Sequence, residues 1–403
     1  MAGGVFSGVR VIETTEGIGI PFAGKMLADL GAEVIKVERP GVGDKLRHVA
    51  PFAKGESDPE KSLMFLYVNS SKKSVTVDID SPGGCDILRS LVAGADIWIR
   101  QGQPEAWDGR GLSYETVSSA NPDLICVSVT PFGESGPYKD YAATPFTVTH
   151  MCGNTALYPH GSGAQHLAPC MLGGNFEEYD VGTVIAIGAI AALYWREAGG
   201  EGQYLEISEQ EARVMLLQNE NAPYPVFGMT FDRQGAVQKL QASLSYKTKD
   251  GWLNPFLTQT HEFASMARVM GKEEWIDEPW FNNIAERRQN HQKIADAIQE
   301  WADQYTTAEA VEILQANHIP MGPVSTPKDV VESEQFAYRK FFTPMSHPAI
   351  GEVSYPGKAF NMSETPLSFA PAPLLGADTE SVLKETLGCS DEQIAAYRND
   401  NVI

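Results

Sequence analysis

Three carboxylates fall within four residues in Gly173-Gly174-Asn175-Phe176-Glu177-Glu178-Tyr179-Asp180, directly before the apolar run Val181–Trp195. A run that is apolar on nearly every side predicts a core helix, with the acids at its mouth. Carboxylates there meet unpaired N–H groups and the positive end of the helix dipole, while burial raises their pKa. With burial and the dipole pulling their pKa in opposite directions, these acids are where chemistry would be sought. The plain structural alternative is that Asp180 caps the helix and Glu177 and Glu178 are loop acids beside it.

The second chemically informative group is basic. Arg39 follows a predicted strand, Lys45 and Arg47 come shortly after, Lys72 and Lys73 precede another strand, and Arg100 and Arg110 flank the loop after a third. Each alone reads as a solvated surface charge. Clustered at strand–loop junctions, they point to a phosphate pocket built on charge-assisted hydrogen bonds. His150, His160 and His166 bracket the loop before the acids. No GxSxG elbow accompanies them, and Ser162 sits in a Gly-Ser-Gly turn, which argues against a serine hydrolase.

The elements that must position these residues follow from periodicity. A strand over 9–16, a turn at Gly17–Pro21, a helix over Phe22–Leu30 and a strand over Glu33–Glu38 make one βαβ unit. Strands over Ser74–Ile79, Asp96–Arg100 and Leu124–Thr130, with helices over Gly83–Val92 and Tyr114–Asn121, repeat it. The fold class expected is α/β, a Rossmann-like doubly wound parallel sheet with ligands beyond the carboxyl ends of its strands. The first turn, Gly17-Ile18-Gly19-Ile20-Pro21-Phe22, is not GxGxxG, so a nicotinamide dinucleotide is disfavoured. A strand at Tyr204–Ser208 and a helix at Glu209–Leu217 follow the core helix.

The texture then changes. A strand–turn at Tyr246–Trp252 and helices over His261–Met270, His291–Tyr305 and Ala308–Asn317 suggest a smaller α+β domain inserted in the chain. The expected division is 1–222 for the large domain, 223–330 for the small one, and 331–403 for a segment returning to the large domain, with terminal helices at Thr379–Leu387 and Asp391–Arg398.

Bulk properties exclude several classes. In 403 residues there are 31 Lys and Arg against 52 Asp and Glu, a formal charge of −21, so nucleic acid and anionic membrane surfaces are not expected partners. The five cysteines form no CxxC pair and have no histidine at ligand spacing, so neither a metal site nor a disulfide framework is expected. The N-terminal residues contain no signal-peptide pattern and no apolar run reaches membrane-spanning length, so a cytoplasmic protein is expected.

Pro21-Phe22-Ala23-Gly24-Lys25-Met26-Leu27-Ala28-Asp29-Leu30-Gly31-Ala32-Glu33-Val34-Ile35-Lys36-Val37-Glu38-Arg39-Pro40, with Gly43-Asp44, Arg47 and Asn69–Asp78, resembles the family III CoA-transferases. Asn121-Pro122, Gly133–Tyr138, Gly188–Arg196, Gly202-Gln203, Tyr246–Gly251, Ile319–Val324 and Ala372–Gly376 extend the likeness in order along the whole chain. That family includes formyl-CoA:oxalate and carnitine CoA-transferases and α-methylacyl-CoA racemase. The resemblance implies an interlocked homodimer. It also implies a coenzyme A thioester as substrate rather than a permanently bound cofactor, and transfer of CoA from an acyl-CoA to a carboxylic acid through an enzyme-acyl mixed anhydride. Counting from Gly182 and Arg196, the family's nucleophilic aspartate falls on Glu178, with Glu177 and Asp180 as substitutes one or two residues away; Asp180 is then the expected cap. Ile18, Gly19, Arg39, Lys72, Lys73, Gln101 and Arg110 are the CoA-contacting positions it implies, and Gly173 and Gly174 are candidate oxyanion donors. Gln101-Gly102 stands where the family has Asn-Phe, and Ala143–Phe146 stands where its racemase carries a histidine, with His150 displaced. The glycine-rich lid of formyl-CoA transferases has no counterpart at Gln234–Ser243. An acyl-CoA racemase or isomerase, and a CoA-binding subunit without chemistry, are the competing expectations.

Overall fold

The computed structural model describes residues 4–158, 166–216, 223–229 and 245–403. Those residues form two compact units. The first comprises Met1–Thr155, Met171–Val226 and Tyr338–Ile403; the second comprises Ala156–Cys170 and Phe227–Ala337.

The first unit is organised by six parallel strands, β1 (Arg10–Thr14), β2 (Glu33–Glu38), β3 (Lys73–Thr76), β4 (Ile97–Gln101), β5 (Ile125–Thr130) and β6 (Tyr204–Ser208), in the order β3-β2-β1-β4-β5-β6. The order reverses between β1 and β4, which is where an open α/β sheet leaves a crevice for ligand. Both faces are covered. One face buries Ile12, Ile35, Val75, Trp98 and Cys126; the other buries Val11, Val34, Ile97, Ile99, Val127 and Val129. Alternate residues of each strand therefore feed two cores, so the strands read as continuous apolar runs.

Helices flanking this sheet include α1 (Gly19–Asp29), α2 (Leu63–Val68), α3 (Pro82–Ala93), α4 (Pro104–Asp108), α5 (Tyr114–Ala120), α6 (Pro145–His150), α7 (Phe176–Glu197) and α8 (Glu209–Met215). Hydroxyl caps start several of them. Ser81 accepts from Gly84 N–H before α3, Ser113 from Thr116 N–H before α5, and Ser208 from Glu211 N–H before α8. After the second unit the chain adds an antiparallel hairpin, Phe342–His347 with Gly351–Pro356, and two helices at Thr379–Leu387 and Asp391–Asn399. The hairpin's Met345 and Tyr355 pack against Ile18, Phe65 and Leu66.

The second unit carries a three-stranded antiparallel sheet, Tyr246–Lys247, Trp252–Pro255 and Met321–Pro323, with helices at Thr260–Val269, His291–Ala302 and Thr307–Ala316. Its own core gathers Leu253, Phe263, Met266, Phe281, Ile298, Trp301 and Leu314.

Two expectations about α7 need correction. It begins at Phe176, not after Asp180, so all three carboxylates lie inside it, and its N-cap is Asn175 in a left-handed conformation (φ 57°). Phe176–Asp180 contains no proline or glycine to stop the helix, and Tyr179 gains an edge-on contact with Phe22 of α1 at 4.9 Å by joining it. Nor is the helix enclosed all round: Ile187, Tyr194 and Trp195 are 60%, 77% and 58% exposed within this single chain. No helix among the described residues is long and apolar enough to cross a membrane.

Candidate functional site

The N-termini of α1 and α7 meet backbone to backbone. A Cβ placed on Gly19 would come within 2.4 Å of the Glu178 carbonyl oxygen, and one on Gly182 within 2.3 Å of the Gly19 carbonyl oxygen. Only two glycines allow this approach, and it fixes Glu178 beside the turn that follows β1. Gly182→Ala is therefore expected to cost about 1–3 kcal/mol by forcing the helices apart, and to lower turnover at least about 100-fold by displacing Glu178. Urea midpoints and steady-state rates check this together; wild-type values for both would show that the crossing tolerates a methyl group.

A cavity of about 690 Å³ opens where the helix ends meet. Glu178, Ile18, Gly19, Ile20 and Val181 line it, with Arg39 and Gln101 from the strand ends, Lys45 from the 3-10 turn Lys45–His48, Asp80 and Arg110 from loops, and Glu209 and Arg213 from α8. Such a mix offers an anion the first turn of α1 and several cations, and offers an electrophile a carboxylate. Glu178 is the lining carboxylate that sits at the crossing of α1 and α7. Burial pushes its carboxyl up to about 7, with Arg213 pulling down and Glu209 and Glu177 adding to the rise. A carboxylate near its midpoint at neutral pH is more basic, hence more nucleophilic, than a solvated one, yet substantially ionised. Asp180 is exposed, and its carboxyl is raised from the usual aspartate value, by burial first and then by Glu177. Glu177 is 7% exposed and is not among the residues lining the cavity; neither carboxylate oxygen has a hydrogen-bond partner among the described residues.

The basic residues separate into two groups. Arg39 and Arg110 line the cavity and are tied to one acid, Asp80, at 2.8 and 2.5 Å. Lys45, also lining, pairs with Glu16 at 2.8 Å. Arg47 and Arg100 do not serve a phosphate pocket. Arg47 is fully buried in a bidentate pair with Glu38, at 2.8 and 2.9 Å, with Glu60 on its third nitrogen. Arg100 is buried against Ser128, the Leu112 carbonyl and Tyr204.

Lys72 and Lys73, expected at the CoA site, do not reach the cavity lining. They enter β3 at its amino end. Lys72 Nζ is buried and donates to Glu13 at 2.7 Å, to the Pro21 carbonyl at 2.7 Å and to Asn69 at 2.9 Å; Lys73 pairs with Glu33 at 2.6 Å. Of the positions the resemblance implied, Ile18, Gly19, Arg39, Gln101, Arg110 and Glu178 are brought together, and Lys72 and Lys73 are not. Gln101 has a further duty: its side-chain oxygen accepts the Glu16 N–H at 3.1 Å and steadies the turn.

That turn rests on a buried ion network. Lys36 Nζ contacts Glu13 at 3.0 Å, Asp44 at 2.8 Å and the Thr15 carbonyl at 2.8 Å, and Asp44 accepts the Gly17 N–H at 3.2 Å. Burial alone would lower the Lys36 ammonium, but Asp44, Glu13 and Glu38 outweigh it and hold it well above the usual lysine value. Burial pulls its neighbour Lys72 the other way, down to about 8.

Glu209 and Arg213 are the site residues the sequence reading missed. Glu209 directly follows β6, so the rule that ligands gather beyond strand carboxyl ends marked it, and the i, i+4 spacing marked Arg213 as its partner. His150 bonds the Phe146 carbonyl at 2.8 Å and is not in the cavity lining. Gly173 and Gly174 precede α7 outside that lining as well. His160, Ser162 and Gln234–Ser243 lie outside the described residues. Among the described residues no three His, Cys, Asp or Glu side chains gather as metal ligands.

Comparison with known proteins adds the following. The family model described as CoA-transferase family III matches residues 6–379. The mouse protein named succinyl-CoA:glutarate CoA-transferase is 32% identical over 390 residues, covering 94% of this chain and 86% of its own. A formyl-CoA:oxalate CoA-transferase of Rhodopseudomonas palustris is 29% identical, covering 98% and 96%. A crystal structure of a CAIB/BAIF family protein from Brucella suis superposes with a TM-score of 0.82 at 26% identity, over 95% of this chain and all of that one. With the family model spanning nearly its whole length and acyl-CoA enzymes as its relatives, this chain belongs to CoA-transferase family III.

Proposed function

We propose that the protein moves CoA from an acyl-CoA to an acceptor carboxylic acid, with the Glu178 carboxylate as nucleophile. The observation that carries this is Glu178 itself: a half-buried carboxylate, held near neutral pKa by burial, on the wall of the cavity that also presents the first turn of α1 with Arg39 and Arg110. The ADP portion of CoA lies along Arg39, Arg110, Ile18 and Gly19, where phosphates meet a helix N-terminus and two guanidinium groups. The acyl thioester then reaches Glu178.

The exchange balances without a metal or redox partner. The Glu178 carboxylate attacks the thioester carbonyl, the C–S bond breaks, and CoA thiolate leaves a mixed anhydride on the enzyme. The thiolate attacks the glutamyl carbonyl, releasing the first acid and leaving a glutamyl-CoA thioester. The acceptor carboxylate displaces CoA in turn, and the thiolate attacks the acceptor's carbonyl, so Glu178 is freed as carboxylate. No proton need be moved, which is consistent with the absence of His150 from the cavity lining.

Homodimerisation belongs to the same reading. The exposed apolar side chains Ile187, Tyr194 and Trp195 of α7 are what a second, interlocked copy would cover.

Incubation with acyl-CoA and hydroxylamine tests the covalent step. The expected product is a glutamyl hydroxamate at Glu178, mapped by peptide mass spectrometry. Label on Glu177 or Asp180 would move the nucleophile, and no label in an enzyme that turns over would remove the anhydride.

A further inference from the structure

The cations lining the cavity are Arg39, Lys45, Arg110 and Arg213, and each already has an acid among the described residues. Lys45 is matched by Glu16 and Arg213 by Glu209, one cation to one carboxylate. Asp80 differs, because it serves two guanidinium groups at once. Its Oδ2 accepts from Arg39 Nη2 at 2.8 Å and its Oδ1 from Arg110 Nη2 at 2.5 Å. Among the lining cations, this cluster alone has two positive charges to one carboxylate, so an anion entering the cavity is drawn to it.

Three separate segments meet there: Arg39 leaves the carboxyl end of β2, Asp80 lies between β3 and α3, and Arg110 follows α4. The acid is the anchored member. Its backbone N–H donates to Asp78 Oδ1 at 3.2 Å, and the next residue, Ser81, caps α3 by accepting the Gly84 N–H at 3.0 Å. The arginines are less committed. Among the described residues the Arg39 guanidinium bonds Asp80 alone, and its side chain is 62% exposed. Arg110 also donates to the Ala106 carbonyl at 2.7 Å, but its buried Nε has no partner among the described residues. A buried donor left unpaired means that Asp80 does not fully satisfy this guanidinium. Two oxygens on one centre, each taking one guanidinium, is also how a phosphate sits between arginines. A phosphate monoester brings a third oxygen and nearly two charges, against the single charge of a carboxylate.

We propose that Asp80 is a resident anion of this arginine pair, holding Arg39 and Arg110 together until CoA binds and then giving them up to its 3′-phosphate. The inference rests on CoA occupying this cavity, as in the functional reading above. The 3′ group is the only phosphate monoester of CoA; each phosphate of the pyrophosphate carries one charge and meets Asp80 as an equal. Half-exposed ion pairs such as those of Asp80 open at little cost, so the exchange of one anion for the other is readily reversible. Asp80 then weakens the hold of its two arginines on CoA and lets product acyl-CoA leave. An acid whose task was only to join two loops would act the other way, strengthening CoA binding by fixing the guanidinium groups in place. The two roles predict opposite signs.

Calorimetric titration of the purified protein with CoA and with 3′-dephospho-CoA reads that sign. Asp80→Asn keeps the shape of the side chain and removes its charge. It is expected to bind CoA about three- to fivefold more tightly than wild type, to bind 3′-dephospho-CoA with unchanged affinity, and to lose its advantage as salt is raised. Arg39→Ala is expected to weaken CoA binding at least about threefold. A crystal structure of the wild type with CoA bound needs no variant, and is expected to show the Asp80 carboxylate released from at least one guanidinium. Weaker or unchanged CoA binding in Asp80→Asn, or an Asp80 that still bridges both arginines beside bound CoA, overturns the displacement. Equal tightening of the two ligands overturns the assignment to the 3′-phosphate. If Arg39→Ala binds CoA as wild type does, the placement of CoA in this cavity fails instead, and the role of Asp80 fails with it.

Discussion

Glu178→Gln is expected to abolish CoA exchange, by about a thousandfold or more, and to make the protein more stable above neutral pH. The first effect follows from the covalent role proposed for Glu178, for which an amide offers no replacement. The second follows from the sign of the pKa displacement. Burial raises the Glu178 carboxyl from 4.5 to about 7 in the folded state. Between those values the folded protein holds a proton that the unfolded chain releases, so stability falls as pH rises through the folded pKa. Above pH 7 the wild type bears the cost of a partly desolvated charge that the glutamine variant lacks. After discounting for the partial exposure of the side chain, the gain is about 1–2 kcal/mol at pH 8 and falls to about a quarter of that near pH 5. Denaturant midpoints at the two pH values check this directly. An equal gain at both would mean that packing, not charge, is responsible; retained turnover would exclude Glu178 as nucleophile. Glu178→Asp should fall between the two, since the shorter side chain keeps the carboxylate but withdraws it from the cavity.

Lys36→Met should be the most destabilising single change at the site, costing about 3–5 kcal/mol, because it strips a shared cation from carboxylates that water does not reach. The side chains of Lys36, Glu13 and Asp44 are all fully buried. Glu13 would retain Lys72 at 2.7 Å, while Asp44 would keep only backbone donors, the N–H groups of Gly17 and Leu46. Asp44 would then be a buried carboxylate without its cation, and its hold on the Gly17 turn would loosen. The loss should appear as a lower denaturant midpoint at unchanged m-value, accompanied by a raised KM for acyl-CoA. Adding Asp44→Asn should recover part of the stability, since it removes the charge left without a cation; if the double variant is simply additive, the network is not coupled.

Much of this architecture was written in residue order. Glu33–Glu38, Tyr204–Ser208 and Thr379–Leu387 fold over the spans their patterns indicate, because apolar runs bounded by turn residues and helices opened by a polar cap are local signals. The repeated βαβ pattern likewise implied a parallel sheet with a ligand crevice past its carboxyl ends. The segment 176–180 was less legible. Its acids suggested a loop, but Phe22 of α1, more than 150 residues earlier, supplies the contact that draws Tyr179 into the helix.

The basic residues show the division between sequence and tertiary structure most plainly. Sequence alone determined the family, the sheet and the position of Glu178, since each depends on residue types in order. It marked Arg39, Arg47, Lys72, Arg100 and Arg110 alike as cations near strand ends. Tertiary structure decided that Arg39 and Arg110 face the cavity while Arg47, Lys72 and Arg100 are spent on internal partners. It also placed Glu209 and Arg213 in the lining of the same cavity as Glu178, some thirty residues away along the chain. The physical reason is that a charge acts through its distance to other charges and to water, and both are set only when the chain has packed.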